Sequence, residues 1–231
     1  MYRKLDIEET LKTIERLRLR IEDRFPGSGL SKVCGELYDI GLTTKNNIHF
    51  VSRPIWWLRG LFAFVLALFV STLLLTVNTI EIKQVEGFIN AMSAEGLEAV
   101  LQIMVFFSAS VFFFVQAEDR IKRSRVLKYL YELRTIAHVI DMHQLTKDPK
   151  AINSYNTANS PKRELNDFEL LRYLDYCCEM LSLTSKLSAL YANDFHDDVV
   201  LNTINEIEDL TLGLNKKIWQ KIMLVDQGAG K

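Results

Sequence analysis

The chain has 231 residues, 48% of them hydrophobic, with 28 Lys and Arg against 29 Asp and Glu and a formal net charge of −1. Three cysteines, Cys34, Cys177 and Cys178, fall in segments expected on the reducing side of a membrane, which excludes a disulfide framework. The near-neutral total hides a division along the chain: residues 1–59 carry 11 basic and 8 acidic groups, 78–98 carry 1 and 4, 118–163 carry 10 and 5, and 164–231 carry 6 and 12.

In chain order, residues 5–25 read as an amphipathic helix, because Ile7, Leu11, Ile14, Leu17, Ile21 and Phe25 recur at steps of three or four among charged positions. Pro26-Gly27-Ser28-Gly29 ends it. A shorter helix is predicted from Ser31 as N-cap to about Ile40, with Gly41 as its stop and Leu42 to Pro54 as a connector near the membrane surface. Residues 1–54 thus form an N-terminal cytoplasmic region.

Residues 55–117 are expected to be a transmembrane hairpin. The runs Leu61 to Val77 and Ala99 to Val115 contain no charged residue, and with their flanks they supply spans at about 60–80 and 97–117. A spanning helix needs roughly 20 mainly apolar residues at about 1.5 Å each. The loop 81–96 is placed outside, since between the spans only Lys83 is basic, against Glu81, Glu86, Glu95 and Glu98. Basic residues gather on the other side: Arg53 and Arg59 precede the first span and Arg120, Lys122, Arg123, Arg125 and Lys128 follow the second. Short loops rich in Lys and Arg stay cytoplasmic, so both termini are predicted there and the location is the cell (inner) membrane, multi-pass. Trp56 and Trp57 are interfacial aromatics. The seven basic residues form a collar suited to anionic lipid headgroups, each worth on the order of 1 kcal/mol. Nucleic acid is not an expected partner, because no basic and aromatic interleaving accompanies the collar.

Neither Pro nor Gly occurs from Leu97 to Leu145, so the second span is predicted to continue into a long cytoplasmic helix through 118–147. Its stripe Val126, Leu130, Leu133, Ala137 and Ile140 must pack on something. Residues 148–162 read as a polar linker, and 163–231 as a C-terminal helical region of two helices, about Arg163 to Asn193 and Asp197 to Val225. The last carries Val200, Ile204, Ile207, Leu214, Ile218, Ile222 and Val225 at nearly heptad spacing, interrupted by Thr211 and Gly213. These faces are satisfied either by a bundle within the chain or by a second copy, which the narrow seam favours. The fold class is an all-α membrane protein.

Two patterns in the apolar spans are candidates for function. Glu98, Gln102, Val105, Ala109, Phe112 and Gln116 follow steps of four and three, putting Glu98, Gln102, Ala109 and Gln116 on one face. Polar side chains in hydrocarbon are costly without a partner. The face is therefore expected to point inward, as a pore lining in an oligomer or as glutamines bonding a neighbouring helix. Gly60, Ala63, Ala67 and Ser71 give the first span a small-residue face that admits close helix packing.

The densest titratable cluster is on the long helix, where Arg134, His138 and Asp141 share a face. As metal ligands His138 and Asp141 would need help from another helix, for which Asp194, His196, Asp197 and Asp198 are the candidates. The alternative is a surface ion pair and a hydrogen-bonded His. HEPN-type ribonucleases place four to six residues between Arg and His, and Arg134 and His138 have three, so that pattern is missed. Adjacent Cys177 and Cys178 lie in an apolar helical pattern and read as small buried hydrophobes, without zinc-ligand spacing. No catalytic motif and no cofactor are predicted.

The order of cytoplasmic helix, two spans, short acidic loop and long cytoplasmic helix over roughly residues 5–145 resembles the two-span bacterial effector modules called SLATT. The resemblance lies in segment order, and no functional residue is carried over from it. It implies oligomers that perturb the membrane when a cytoplasmic sensor is triggered, often in defence against phage. The helical region after residue 150 is an addition to that plan. Two functions are expected to compete: an oligomeric membrane effector or channel-like module controlled by its cytoplasmic helices, and a membrane-anchored scaffold or sensor that binds cytoplasmic protein partners without conducting. In both the protein meets the lipid bilayer, and a homo-oligomer is expected.

Overall fold

A computed structural model of the chain describes residues 4–51, 53–79, 94–147, 165–193 and 195–229. The described residues are all-α: α1 (Ile7–Arg24), α2 (Gly29–Val51), α3 (Trp56–Thr79), α4 (Ala94–Leu145), α5 (Asp167–Ala189), a 3-10 turn at Leu190–Asn193, and α6 (Asp198–Ala229). The chain divides into two compact units, one of Met1–Ser52 with Arg123–Lys231 and the other of Arg53–Lys122. The linker 148–162 and most of the loop 81–96 lie outside the described residues, and Ala94 already belongs to α4.

In the larger unit α1 starts at Asp6, whose carboxylate accepts from the Glu8 N–H at 2.8 Å, with Glu8 and Glu9 in the first turn and Arg24 in the last. Charge at both ends therefore opposes the helix dipole. Its apolar stripe is fully enclosed at Ile14, Leu17 and Ile21. The chain reverses through Gly27, whose φ of 65° is left-handed and favours a residue without Cβ. Glu22 ties the turn down by accepting from the Gly27 N–H at 3.2 Å and from the Ser31 hydroxyl.

Here the helix α2 departs from expectation. It runs through Gly41 to Val51, so Gly41 is no stop and Leu42 to Val51 is helix instead of connector. The reason is packing: a Cβ on Gly41 would lie 2.7 Å from Leu11 Cδ2 and 3.6 Å from Ile14 Cδ1. The glycine allows α1 to come close to the middle of α2.

The stripe on α4 finds its partners inside this unit. Val126, Leu130, Leu133, Ala137 and Ile140 are all fully buried, in one core with Leu30 and Leu37 of α2, Leu174, Met180 and Leu187 of α5, and Val200, Ile207 and Ile218 of α6. Helix α5 begins with a capping box in which Glu169 N–H donates to Asn166 Oδ1 at 2.8 Å and Asn166 N–H donates to Glu169 Oε2 at 2.9 Å.

The heptad seam of α6 is covered within the chain, with Val200, Ile204, Ile207, Leu214, Ile218 and Val225 all buried. The seam therefore gives no reason for a second copy. Thr211 sits in the seam at 1% exposure because its hydroxyl donates back to the Ile207 carbonyl at 2.9 Å. Gly213 has nothing within 4 Å of the place its Cβ would occupy and lies off the seam.

The smaller unit pairs α3 with the start of α4. Phe62 meets Phe114 at a ring separation of 5.4 Å, and Phe69 stacks on Phe107 at 4.6 Å. An advance of seven residues on α3 matches a retreat of seven on α4, so the two helices are antiparallel. Away from this aromatic seam the surface is apolar and exposed: Trp56 is 77% exposed, Phe64 63%, Phe106 74% and Phe113 65%.

Candidate functional site

At 3.6 residues per turn each residue advances about 100° around a helix. Counted from Glu98, Gln102 lies about 40° round, Ala109 about 20° and Gln116 about 0°, while Phe107 and Phe114 lie about 180° and 160° away. The polar stripe is thus on the side of α4 opposite its contact with α3. Glu98, Gln102, Ala109 and Gln116 are all exposed, as are Val105 and Phe112 at 65% each. The expected inward orientation does not hold within one chain, because the aromatic rings take the seam. Along the stripe, Gln102 Nε2 donates to Glu98 Oε1 at 3.3 Å.

The same division holds on α3. Counted from Gly60, the seam residues Phe62 and Phe69 lie about 200° and 180° round, and Ala63, Ala67 and Ser71 stay within about 60°. Gly60, Ala63, Ala67 and Ser71 are exposed, and a Cβ on Gly60 would meet nothing within 4 Å. Both helices put aromatics between them and turn their small or polar faces outward. The signal for the seam was in the sequence as two Phe pairs each seven residues apart, Phe62 with Phe69 and Phe107 with Phe114.

Among the described residues one helix, Leu101–Leu145, is long and apolar enough to cross a membrane, and none of its apolar window is buried within the chain. Trp56–Thr72 is a shorter apolar helix.

The basic collar is partly spoken for. Glu118, whose side chain is only 15% exposed, accepts from Lys122 Nζ at 2.9 Å, Arg59 Nε at 3.2 Å and the Ile55 N–H at 3.4 Å. Burial pushes its carboxyl up, but the bonds from Lys122, Arg59 and Ile55 outweigh burial and hold it below its ordinary range. Arg123 Nη2 sits 2.6 Å from Asp197 Oδ2, and that carboxylate's other oxygen caps α6 by accepting from Val199 and Val200. Arg53, Arg120, Arg125 and Lys128 are exposed. Sequence reading missed Glu118, although an acid four residues before Lys122, at the foot of the apolar run, was its signal.

The titratable cluster of α4 does not come together as a ligand set. Arg134 pairs with Glu206 of α6 at 3.3 Å, and Asp141 accepts from Gln144 Nε2 at 2.6 Å. His138 and His196 are exposed. Asp194 lies outside the described residues, among which no three His, Cys, Asp or Glu side chains are placed to hold a metal ion. What the sequence hid is the tie at the end of α4, where Lys221 Nζ donates to the Gln144 carbonyl at 2.9 Å and to Gln144 Oε1 at 2.6 Å. An ammonium at a helix C-terminus also complements the dipole there. Cys34 and Cys177 are buried and Cys178 half-buried, and burial pushes the thiols of Cys34 and Cys178 up to about 12, which makes both poor nucleophiles.

On the larger unit Trp219 borders an open groove of about 960 Å³ with Leu5, Thr13, Cys178 and Lys186 along it. Leu212, Trp219 and Met223 lie on one face of α6 and are 53%, 56% and 52% exposed.

No protein-family model matches the chain, and neither the curated proteins nor the solved structures contain a significant match to it.

Proposed function

We propose that α3 and the first part of α4 cross the cell membrane as a two-span hairpin with both termini cytoplasmic, and that several copies assemble through the outward faces into a channel-like effector controlled by the cytoplasmic helices. The observation that carries this reading is the orientation of the Gln102 and Gln116 face. It is turned away from α3, on a helix whose exposed large side chains between the two glutamines are apolar. In hydrocarbon a carboxamide needs a donor and an acceptor, and a second copy presenting the same face supplies both. The small-residue face of α3 would let helices of neighbouring copies approach closely. Exposed Trp56 and Trp57 suit the membrane interface, and so much exposed apolar surface would aggregate in water. The likeness of segment order to SLATT effectors points the same way. The test is ion flux through liposomes carrying the purified protein. Wild type should pass ions, and Gln102→Leu with Gln116→Leu should abolish flux and any toxicity on overexpression; unaltered flux in the double variant would reject the stripe as a path.

A second reading, an anchored scaffold without conduction, draws support from the groove beside Trp219 and the exposed Leu212, Trp219 and Met223 face. Exposed aromatic and apolar residues of this kind are typical anchors for a partner. Liposomes that pass no ions, together with a cytoplasmic partner lost on Trp219→Ala, would favour it.

A further inference from the structure

The stripe also carries an assignment of what the path conducts, and this rests on the channel reading above. From Glu98 to Ala117 Glu98 is the only charged residue, and it stands at the end of the stripe next to the acidic segment 78–98. Its carboxylate is exposed on the same face as Gln102 and Gln116. At the other end Asp119 and Arg120 follow one another, both exposed, and in a straight helix they flank the stripe on opposite sides, about 60° and 40° from its middle. Their charges offset each other, whereas that of Glu98 has no basic neighbour along the stripe. Between the ends, Val105 and Phe112 are the large apolar residues of the stripe, each 65% exposed, and Phe112, the bulkiest, repeated around an axis would narrow the path to an apolar constriction.

We infer that the assembled protein conducts small monovalent cations in preference to anions, with a ring of Glu98 carboxylates at the non-cytoplasmic mouth selecting them and Phe112 forming the constriction. A ring of carboxylates raises the local cation concentration and repels anions, as charged mouths do in general. The carboxamides of Gln102 and Gln116 offer carbonyl oxygens to a partly dehydrated cation further in.

The experiment is reversal-potential measurement on the full-length protein in planar bilayers under a KCl gradient. Wild type should reverse close to the potassium equilibrium potential. Glu98→Gln should move the reversal potential toward zero, with the K⁺ to Cl⁻ permeability ratio falling about tenfold, the lower end of the enrichment a charged cleft provides. Glu98→Asp should keep the preference, because it keeps the charge. Phe112→Ala should raise the current at a given voltage. An unselective or anion-selective wild type overturns the inference, as does a Glu98→Gln reversal potential equal to that of wild type. Wild type that carries no current in any condition rejects the channel reading itself and the inference with it.

Discussion

The Glu118 carboxylate shows how burial and pairing compete at one residue. Enclosure alone would favour its protonated form, yet two cations and a backbone N–H surround it, and the net shift is downward from the ordinary 4.5. A carboxyl whose folded value is lowered contributes stability that is fully present above its ordinary range and is lost as pH falls through the lowered value. The Arg59 side of this cluster is 58% exposed, so most of the effect rests on Lys122 and on the backbone bond. We expect Glu118→Gln to cost about 1.5–3 kcal/mol at neutral pH, the usual scale for hydrogen bonds to a charged group. Thermal unfolding in detergent, followed by tryptophan fluorescence between pH 7 and pH 3, should show the two proteins converging as acid removes the wild-type charge. A gap that stays constant with pH would deny Glu118 this role.

At the scale of an element, α2 shows what the sequence concealed and why. Gly41 after a short apolar pattern has the same appearance whether it stops a helix or lets another helix come close. The deciding neighbour is Leu11, thirty positions earlier. The α6 seam misled in the same way: a heptad pattern is alike whether its partner is α5 or a second copy. By contrast the stripe of α1, the unbroken α4 and the buried Val126 to Ile140 face were legible, because period and the lack of Pro and Gly are local properties. The faces of the candidate site were equally legible, since angular position follows from spacing alone. Their outward orientation was not, because it depends on which face the aromatic pairs occupy. The packing explanation of Gly41 predicts a graded response. In Gly41→Ala, helix propensity improves by about 1 kcal/mol while a flexible Leu11 methyl yields, so stability should stay near wild type. Gly41→Val overfills the contact and should cost about 1–3 kcal/mol. Chemical denaturation followed by circular dichroism would check both, and an unaffected Val variant would refute the close approach.

For the whole molecule, one helix supplies two chemistries. Its first part turns Glu98, Gln102, Ala109 and Gln116 outward, and its last part buries Val126 to Ile140 in the core of the larger unit. The case for assembly now rests on the outward faces, since the α6 seam is filled within the chain. If copies meet through the polar stripe, Ala109 of one chain should come near Ala109 of the next, whereas Phe107, about 160° away from it, is committed to Phe69 of its own chain. Ala109→Cys, placed in a chain with the half-buried Cys178 replaced by Ser, should therefore form a disulfide-linked dimer when membranes are oxidised with copper phenanthroline. Phe107→Cys in the same background should remain monomeric on the gel, because its thiol faces α3. The small-residue face offers the competing arrangement, in which Ala67→Cys cross-links and Ala109→Cys does not. That result would move the interface to α3 and leave the glutamines facing either lipid or water. Equal and dilution-sensitive cross-linking at all three positions would mean collision instead of assembly, and the oligomer would have to be abandoned.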